Sequence, residues 1–246
     1  MKTIHIAETT STNDFLRDYS PQEDITVAWT DFQTHGRGQS GAWISEAGKN
    51  LLFSVLLTPD RMPASEGFIL SQANAVALRD TLQEYVGEVW IKWPNDIYTD
   101  NRKIAGTLIE NQLCGKTVSR SVIGTGININ QSVFPDGLAA PATSIVSETG
   151  ATVPPEEVLN RFAGHFVRYY TDIQEGRYYG IRDTYRQSLY LRGQEHLYAD
   201  KDGIFTGVII NVEPDGRLVV MDDKGIERRY AFKEIKLIHG DRRYHL

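Results

Sequence analysis

In residues 92–110, Lys-Trp-Pro-Asn-Asp-Ile-Tyr-Thr-Asp-Asn-Arg-Lys-Ile-Ala-Gly-Thr-Leu-Ile-Glu, a breaker follows directly on an apolar strand. Pro-Asn-Asp is turn chemistry, because proline fixes its own φ and short polar side chains bond the neighbouring backbone. A second turn then leads into a strand that opens on Lys103 and reaches Gly106. The segment is thereby committed to adjoining strands whose ends carry Lys92, Asn95, Asp96 and Lys103. Two lysines, an amide and a carboxylate on an apolar scaffold suit a site that gathers a polyanion and a hard cation. Taken alone, Trp93-Pro94-Asn95-Asp96 also reads as a plain turn.

Alternating elements surround this segment. Ile4 to Ala7 predicts a short strand, and Ser11 or Thr12 is a candidate N-cap for a helix to about Tyr19. Ile25 to Trp29 reads as a strand, and Asn50 to Leu57 is a continuous apolar run of the kind that lies mid-sheet. Phe68 to Tyr85 places Ile69, Ala73, Val76, Ala77 and Leu82 at helical spacing. Strands follow near Val89 to Lys92, Ile104 to Glu110 and Val118 to Asn128. Helices follow near Pro155 to Ile173 and Arg182 to Leu189.

The texture changes after Arg192-Gly193. Short strands (Glu195 to Tyr198, Phe205 to Val212, Arg217 to Met221, Glu227 to Phe232) alternate with Asp-Gly-type turns, the pattern of a small antiparallel barrel. Two units are expected, residues 1–192 and 193–246. The length of 246 residues suits one to two domains.

Composition removes several function classes. A net charge of −6 argues against holding nucleic acid by a broad basic face. No signal peptide is visible at Met1-Lys2-Thr3-Ile4-His5, and no apolar run approaches the roughly 18 residues a bilayer span needs. A cytoplasmic protein without a membrane partner is expected. The single cysteine, Cys114, excludes an intrachain disulfide and a cysteine-rich metal cage. It is expected as a small buried hydrophobe rather than a nucleophile.

Three further segments carry polar chemistry. Ser11-Thr12-Asn13 is a helix cap whose hydroxyls and N–H groups also suit a carbonyl or ureido oxygen. Gln33 stands upstream of Gly36-Arg37-Gly38, where glycines admit backbone N–H groups to an anion and Arg37 adds a positive fork. Gln33 can bond a polar ligand head or cap a turn, and the glycines also fit an ordinary loop. Gly124-Thr125-Gly126-Ile127-Asn128 lacks the third glycine of a dinucleotide fingerprint. It reads as a close-packed strand ending on Asn128.

In this order, from about residue 8 to residue 130, the segments resemble the biotin–protein ligase family, in a short form without an N-terminal DNA-binding domain. Lys92-Trp93-Pro94-Asn95-Asp96 followed by Lys103-Ile104-Ala105-Gly106 is the most specific part of the match. The resemblance implies an α+β fold: a mixed sheet flanked by helices, like class II aminoacyl-tRNA synthetases, followed by an SH3-like C-terminal barrel. It implies an ATP-dependent ligase that forms biotinyl-5′-AMP, with Mg²⁺, and passes biotin to a lysine of a biotin carboxyl carrier protein. That partner belongs to acetyl-CoA carboxylase or a related biotin-dependent enzyme.

The resemblance also assigns roles. Lys103 contacts the reacting carboxylate and phosphate, Arg37 and Gly38 lie against the adenylate, and Asp96 orients the incoming lysine. Ser11, Thr12, Asn13, Gln33, Gly36, Gln39 and Gly106 join them around biotin. Lys92, Asn95, Asn128 and Trp43 serve the nucleotide, with Asn95 as the candidate ligand to magnesium.

The family loop often reads Gly-Arg-Gly-Arg, and this chain has Gln39 at the second arginine, which removes a charge from adenylate retention. A lipoate or octanoate ligase or transferase shares the architecture, and a biotin-responsive repressor is the non-enzymatic rival. The first motif at Ser11 leaves no room for a helix-turn-helix. An inactive small-molecule binder is a third reading, prompted by Gln39. The family includes monomers and homodimers.

Overall fold

A computed structural model describes residues 1–38, 41–138 and 140–238. In chain order it begins with β1 (Lys2–Thr9), α1 (Thr12–Arg17), β2 (Ile25–Gln33) and the two-residue strands β3 (Arg37–Gly38) and β4 (Gly41–Ala42). Next come β5 (Leu51–Leu57), β6 (Met62–Pro63), α2 (Phe68–Val86), β7 (Trp90–Lys92), β8 (Asp96–Thr99), β9 (Arg102–Cys114) and β10 (Thr117–Ile127). Helices α3 (Ile145–Thr149), α4 (Pro155–Gln174) and α5 (Tyr178–Gln187) precede a second run of strands. These are β11 (Glu195–Asp200), β12 (Gly203–Val212), β13 (Leu218–Asp222), β14 (Glu227–Tyr230) and β15 (Lys236–Leu237).

The apolar run Leu51–Leu57 lies mid-sheet as expected, with every residue of β5 buried. The first sheet has the order β1-β2-β5-β10-β9-β8-β7, with β6 paired to β10. β1 and β2 run parallel, whereas the neighbouring pairs inward from β2 are antiparallel, so the sheet is mixed. Helix α2 is buried along most of its length and packs on α4 and α5. Phe162 of α4 meets Phe53 of β5 with ring centroids 4.8 Å apart. Each such fully buried side chain contributes roughly 1.5–3 kcal/mol of transfer free energy.

The second sheet is antiparallel, in the order β14-β13-β12-β11-β15. The expected small β unit is therefore present. Among the described residues its ladder runs from β14 to β15 with no pair closing it into a barrel. Trp93 joins the two sheets: its indole N–H donates to the Gly216 carbonyl at 2.9 Å, and its ring tilts against Phe232. No helix among the described residues is long and apolar enough to cross a membrane.

Two local expectations change, and one helix was not foreseen. Cys114 is exposed at the end of β9 rather than buried. The strand outlasts its cover there, since Asn111 to Cys114 are all exposed. Ser11 occupies the N-cap position of α1 but makes no side-chain cap bond; Gln33 takes that role from β2. Helix α3, five residues capped by Ser144 and stopped by left-handed Gly150, has too few turns to leave a periodic pattern.

Candidate active site

The first N–H groups of helix α1 have no acceptor within the helix, and the end of β2 supplies one. Gln33 Oε1 accepts from the Thr12 backbone N–H at 2.7 Å and from its hydroxyl at 3.2 Å. Thr12 Oγ1 lies 2.7 Å from Ser54 Oγ, and Ser54 donates to Asn13 Oδ1 at 2.6 Å. Asn13 Nδ2 in turn donates to Glu110 at 2.7 Å. One chain of bonds thus fixes Thr12, Asn13 and Gln33 through a serine in the central strand and a glutamate on β9.

Glycines make room for this wall. A Cβ on Gly124 would fall inside contact distance of the Asn13 amide, and one on Gly126 would strike the Trp43 indole. A Cβ on Gly106 would meet the Lys103 ammonium at 2.7 Å. The backbone at Gly36 accepts from the Trp43 N–H at 2.9 Å, which returns the loop to the sheet. The enclosed cavity is small, about 40 Å³. Ser11, Thr12, Asn13, Gln33, Arg37, Gly38, Trp43, Asp96, Lys103 and Gly106 all line it. Trp43 Nε1 is buried there without a partner.

A cleft of about 1040 Å³ adjoins it, between the two sheets. Lys103, Asp96, Trp43 and Gly38 line both spaces. Lys103 Nζ lies 2.8 Å from Asp96 Oδ1, and its backbone is bonded on both sides to Pro141 and Thr143. Lys92 donates to Tyr98 Oη at 3.1 Å. Burial lowers the Lys92 pKa, with Asp96 opposing and Lys103 adding to the effect. Burial likewise pushes the Tyr98 phenol up. Asn128 reaches the cleft from the end of β10, its amide donating to the Thr143 carbonyl at 2.9 Å.

Two expected residues are placed differently. Asn95 is 3% exposed, donates to Ser71 Oγ of α2 at 3.4 Å and lines neither space. Strand entry at Asp96 turns the two neighbours to opposite sides. Arg37 lines the inner cavity, but its guanidinium is engaged by Asp14 at 2.8 Å and Glu110 at 3.4 Å. Gln39 lies outside the described residues. Its role in retaining an adenylate is therefore not placed.

A resident magnesium finds little support in the donor set. Among the described residues no three His, Cys, Asp or Glu side chains converge. The carboxylate facing both spaces is Asp96, already paired with Lys103. A Mg²⁺ ion usually keeps several waters and takes one or two carboxylates beside the phosphates of its substrate. The arrangement fits a cation that arrives on a polyphosphate, and does not fit a protein-built cage.

Several functional groups were not foreseen. Ser54 is the one hydroxyl in an apolar strand, which is a weak signal. Glu110 stands seven positions beyond Lys103 in the recognised segment. Tyr198, Lys233 and Lys236 line the cleft from the second sheet; no motif marks them.

The model of the biotin/lipoate A/B protein ligase family matches residues 5–128. A bifunctional ligase/repressor BirA of Bacillus subtilis (strain 168) is 30% identical over 223 residues, covering 89% of this chain and 68% of that protein. A biotin–[acetyl-CoA-carboxylase] ligase of Paracoccus denitrificans is 31% identical over 206 residues, covering 76% and 84%. Among solved structures, a biotin protein ligase from Aquifex aeolicus in complex with biotin and ATP has a TM-score of 0.79. It is 24% identical, with 97% of this chain and 99% of that chain covered, and shows the shared fold.

Proposed function

The chain belongs to the biotin/lipoate A/B protein ligase family, and from that premise we propose that it is a biotin–protein ligase. It joins biotin to ATP as biotinyl-5′-AMP and transfers the biotinyl group to a lysine of a biotin carboxyl carrier protein. One observation carries this reading. Lys103 and Asp96 stand where a buried cavity with hydrogen-bonding walls meets a large cleft lined by cations.

A ureido head needs donors and acceptors in fixed places, and Gln33, Thr12 and Asn13 hold them along the inner cavity, linked behind it by Ser54. A plain acyl chain has no use for those groups. That favours biotin over the lipoate or octanoate alternative. The valeryl carboxylate then points toward Lys103. The Trp43 indole rests over the floor at Gly126, so the ligand enters by displacing that ring.

In the first half-reaction a carboxylate oxygen attacks the α-phosphorus. The bond to the bridging oxygen breaks, and pyrophosphate leaves with the electron pair. Two anions must meet for this to happen. Lys103 offsets the repulsion and the charge that develops on the phosphoryl oxygens. Lys92 adds a second cation whose partial burial strengthens its field. Magnesium, bound to the triphosphate, would neutralise its charge, with Asp96 and Lys103 facing that side of the site.

In the second half-reaction a neutral amine attacks the mixed anhydride, and AMP leaves. Asp96 orients the incoming amine and accepts its proton, while most of the acceleration comes from proximity. We read the boundary between the catalytic unit and the C-terminal β unit near residue 192.

The test is direct. Protein, biotin, MgATP and a carboxyl carrier domain are incubated and the carrier examined by mass spectrometry for a biotinylated lysine. Lipoate replaces biotin in a parallel reaction. Absence of the biotin adduct, or a preference for lipoate, overturns the reading.

A further inference from the structure

Strand β10 shapes the inner cavity with more than its two glycines. Arg120, Val122, Gly124 and Gly126 alternate onto one face, since successive side chains of a strand point to opposite sides. Gly124 lies against Asn13 of α1 and Gly126 against Trp43. Val122 belongs to a small apolar cluster with Leu16 of α1, Ala28 and Leu56. Arg120 completes the row: its Nη2 donates to the Leu16 carbonyl at 2.6 Å and to the Tyr19 carbonyl. One strand face thus meets α1 from its first turn to the residues just past its end.

A bulge aims that arginine. Val118 pairs with Leu113 and Arg120 with Gln112, so Ser119 is an extra residue in β10. An extra residue bends a strand and resets its alternation. Val118 is buried in the main core with Ile69 and Leu70 of α2, while Arg120, two positions on, turns to the α1 side. A regular ladder would send both to the same face. Helix α1 needs the contact. Six residues are too few for a helix to hold itself, and its terminal carbonyls need partners outside the regular ladder. A guanidinium there makes charge-assisted bonds and is favoured at the negative end of the helix dipole. Gln33 holds the other end at the Thr12 N–H.

We propose that Arg120 is a positioning residue for biotin: from outside the cavity it clamps the end of α1 to β10, and so keeps Thr12 and Asn13 at the spacing from Gly124 that the ureido head requires. The inference rests on the biotin-ligase reading above and deepens it. Arg120 lines neither the cavity nor the cleft, so its effect reaches biotin only through α1.

The experiment compares the wild-type chain with Arg120→Ala and Arg120→Lys. Val158→Ala in α4 is the control, a core truncation at a buried residue that does not line the cavity. In Arg120→Ala the KM for biotin should rise about five- to tenfold, the scale of one partly exposed charge-assisted bond, with kcat and the KM for MgATP unchanged. Amide exchange in residues 11–19 should accelerate several-fold while exchange across α2 stays as it was. Arg120→Lys restores the charge without the fixed fork and should fall between the two; it also carries the test if Arg120→Ala does not fold. Val158→Ala should melt lower and keep the wild-type KM for biotin. An unchanged KM for biotin in the Arg120 variants overturns the proposal. So does an equal rise in Val158→Ala, which makes the effect one of general stability, or an equal rise in the KM for MgATP, which makes Arg120 a support of the whole sheet. A wild type with no affinity for biotin refutes the ligase reading. Faster exchange confined to residues 11–19 in the variants then still supports the clamp, and unchanged exchange there overturns it.

Discussion

The Lys103 ammonium lies 2.8 Å from the Asp96 carboxylate, and the two residues sit on strands that pair through Ile97 and Ala105. The half-buried cation is thus supplied with a counter-ion before any substrate enters. Replacing that partner by an α-phosphate exchanges one charge-assisted bond for another, with no side chain to reorganise over a long distance.

Lys103→Ala is expected to reduce biotinyl-AMP formation by about 100-fold or more, the scale for deleting one preorganised charge at a developing oxyanion. Asp96→Asn should spare that step and slow transfer, because an amide cannot accept the proton of the incoming amine. Single-turnover measurements of adenylate formation and of transfer from preformed adenylate separate the effects. Equal losses in both steps for Asp96→Asn would reject the division of roles.

Asn13 is tied on one side to Ser54 and on the other to Glu110, so it cannot yield to a new neighbour. Gly124→Ala places a methyl group on its amide. The expected cost is about 1–3 kcal/mol of stability, the usual range for overpacking. Biotin affinity should fall about five- to thirtyfold, as a shift of 1–2 kcal/mol in the pocket wall implies, while ATP affinity is spared. Thermal melts together with biotin titration decide it. A variant that melts lower yet binds biotin normally would remove Asn13 from the site.

Glu110 also receives Arg37 and Arg17, and Arg37 is further held by Asp14. These side chains are partly exposed, so each pair contributes no more than about 1 kcal/mol and is screened by salt. Glu110→Gln should therefore loosen the glycine loop rather than unfold the chain. Trypsin cleavage after Arg37 is expected to accelerate several-fold in the variant at low salt, and the wild type should approach the same rate at high salt. A salt-independent cleavage rate in the wild type would refute the ionic latch.

The legible parts of this chain are those where local chemistry and tertiary placement agree. Leu51–Leu57 reads as a central strand because a buried site is what accepts six apolar residues in seven, and all seven are buried. The polar segments from Ser11 to Gly106 converge on one cavity because glycines and turn residues act at their own positions. Asn95 and Asp96 were not separable by sequence. Their facing depends on where β8 begins, and one residue of register sends an amide into α2 rather than the cleft. Glu110 was missed since its partner Asn13 lies 97 positions away. Lys233 was missed because it sits in the turn between β14 and β15, where no periodicity tells which way a side chain faces.

Lys92 should leave a signature in pH. Burial is the larger influence and lowers its pKa from the ordinary 10.5. Below the folded pKa, both folded and unfolded chains carry the proton, and the full cost of burying the charge is present. Between the folded pKa and 10.5 the unfolded chain binds more protons, so the contribution of this lysine to stability rises with pH. Tyr98 beside it, pushed up by burial, keeps its proton through that window. A bound phosphate favours the charged lysine and raises its pKa again. ATP binding should therefore take up protons on the alkaline side, and the KM for ATP should climb as pH passes the folded pKa. Lys92→Met is expected to stabilise the ligand-free chain near neutrality, to flatten the alkaline rise and to weaken ATP by about tenfold, the worth of one charge-assisted contact. Calorimetric titration in two buffers of different ionisation enthalpy counts the protons. Equal uptake by wild type and Lys92→Met would place the titrating proton on another group.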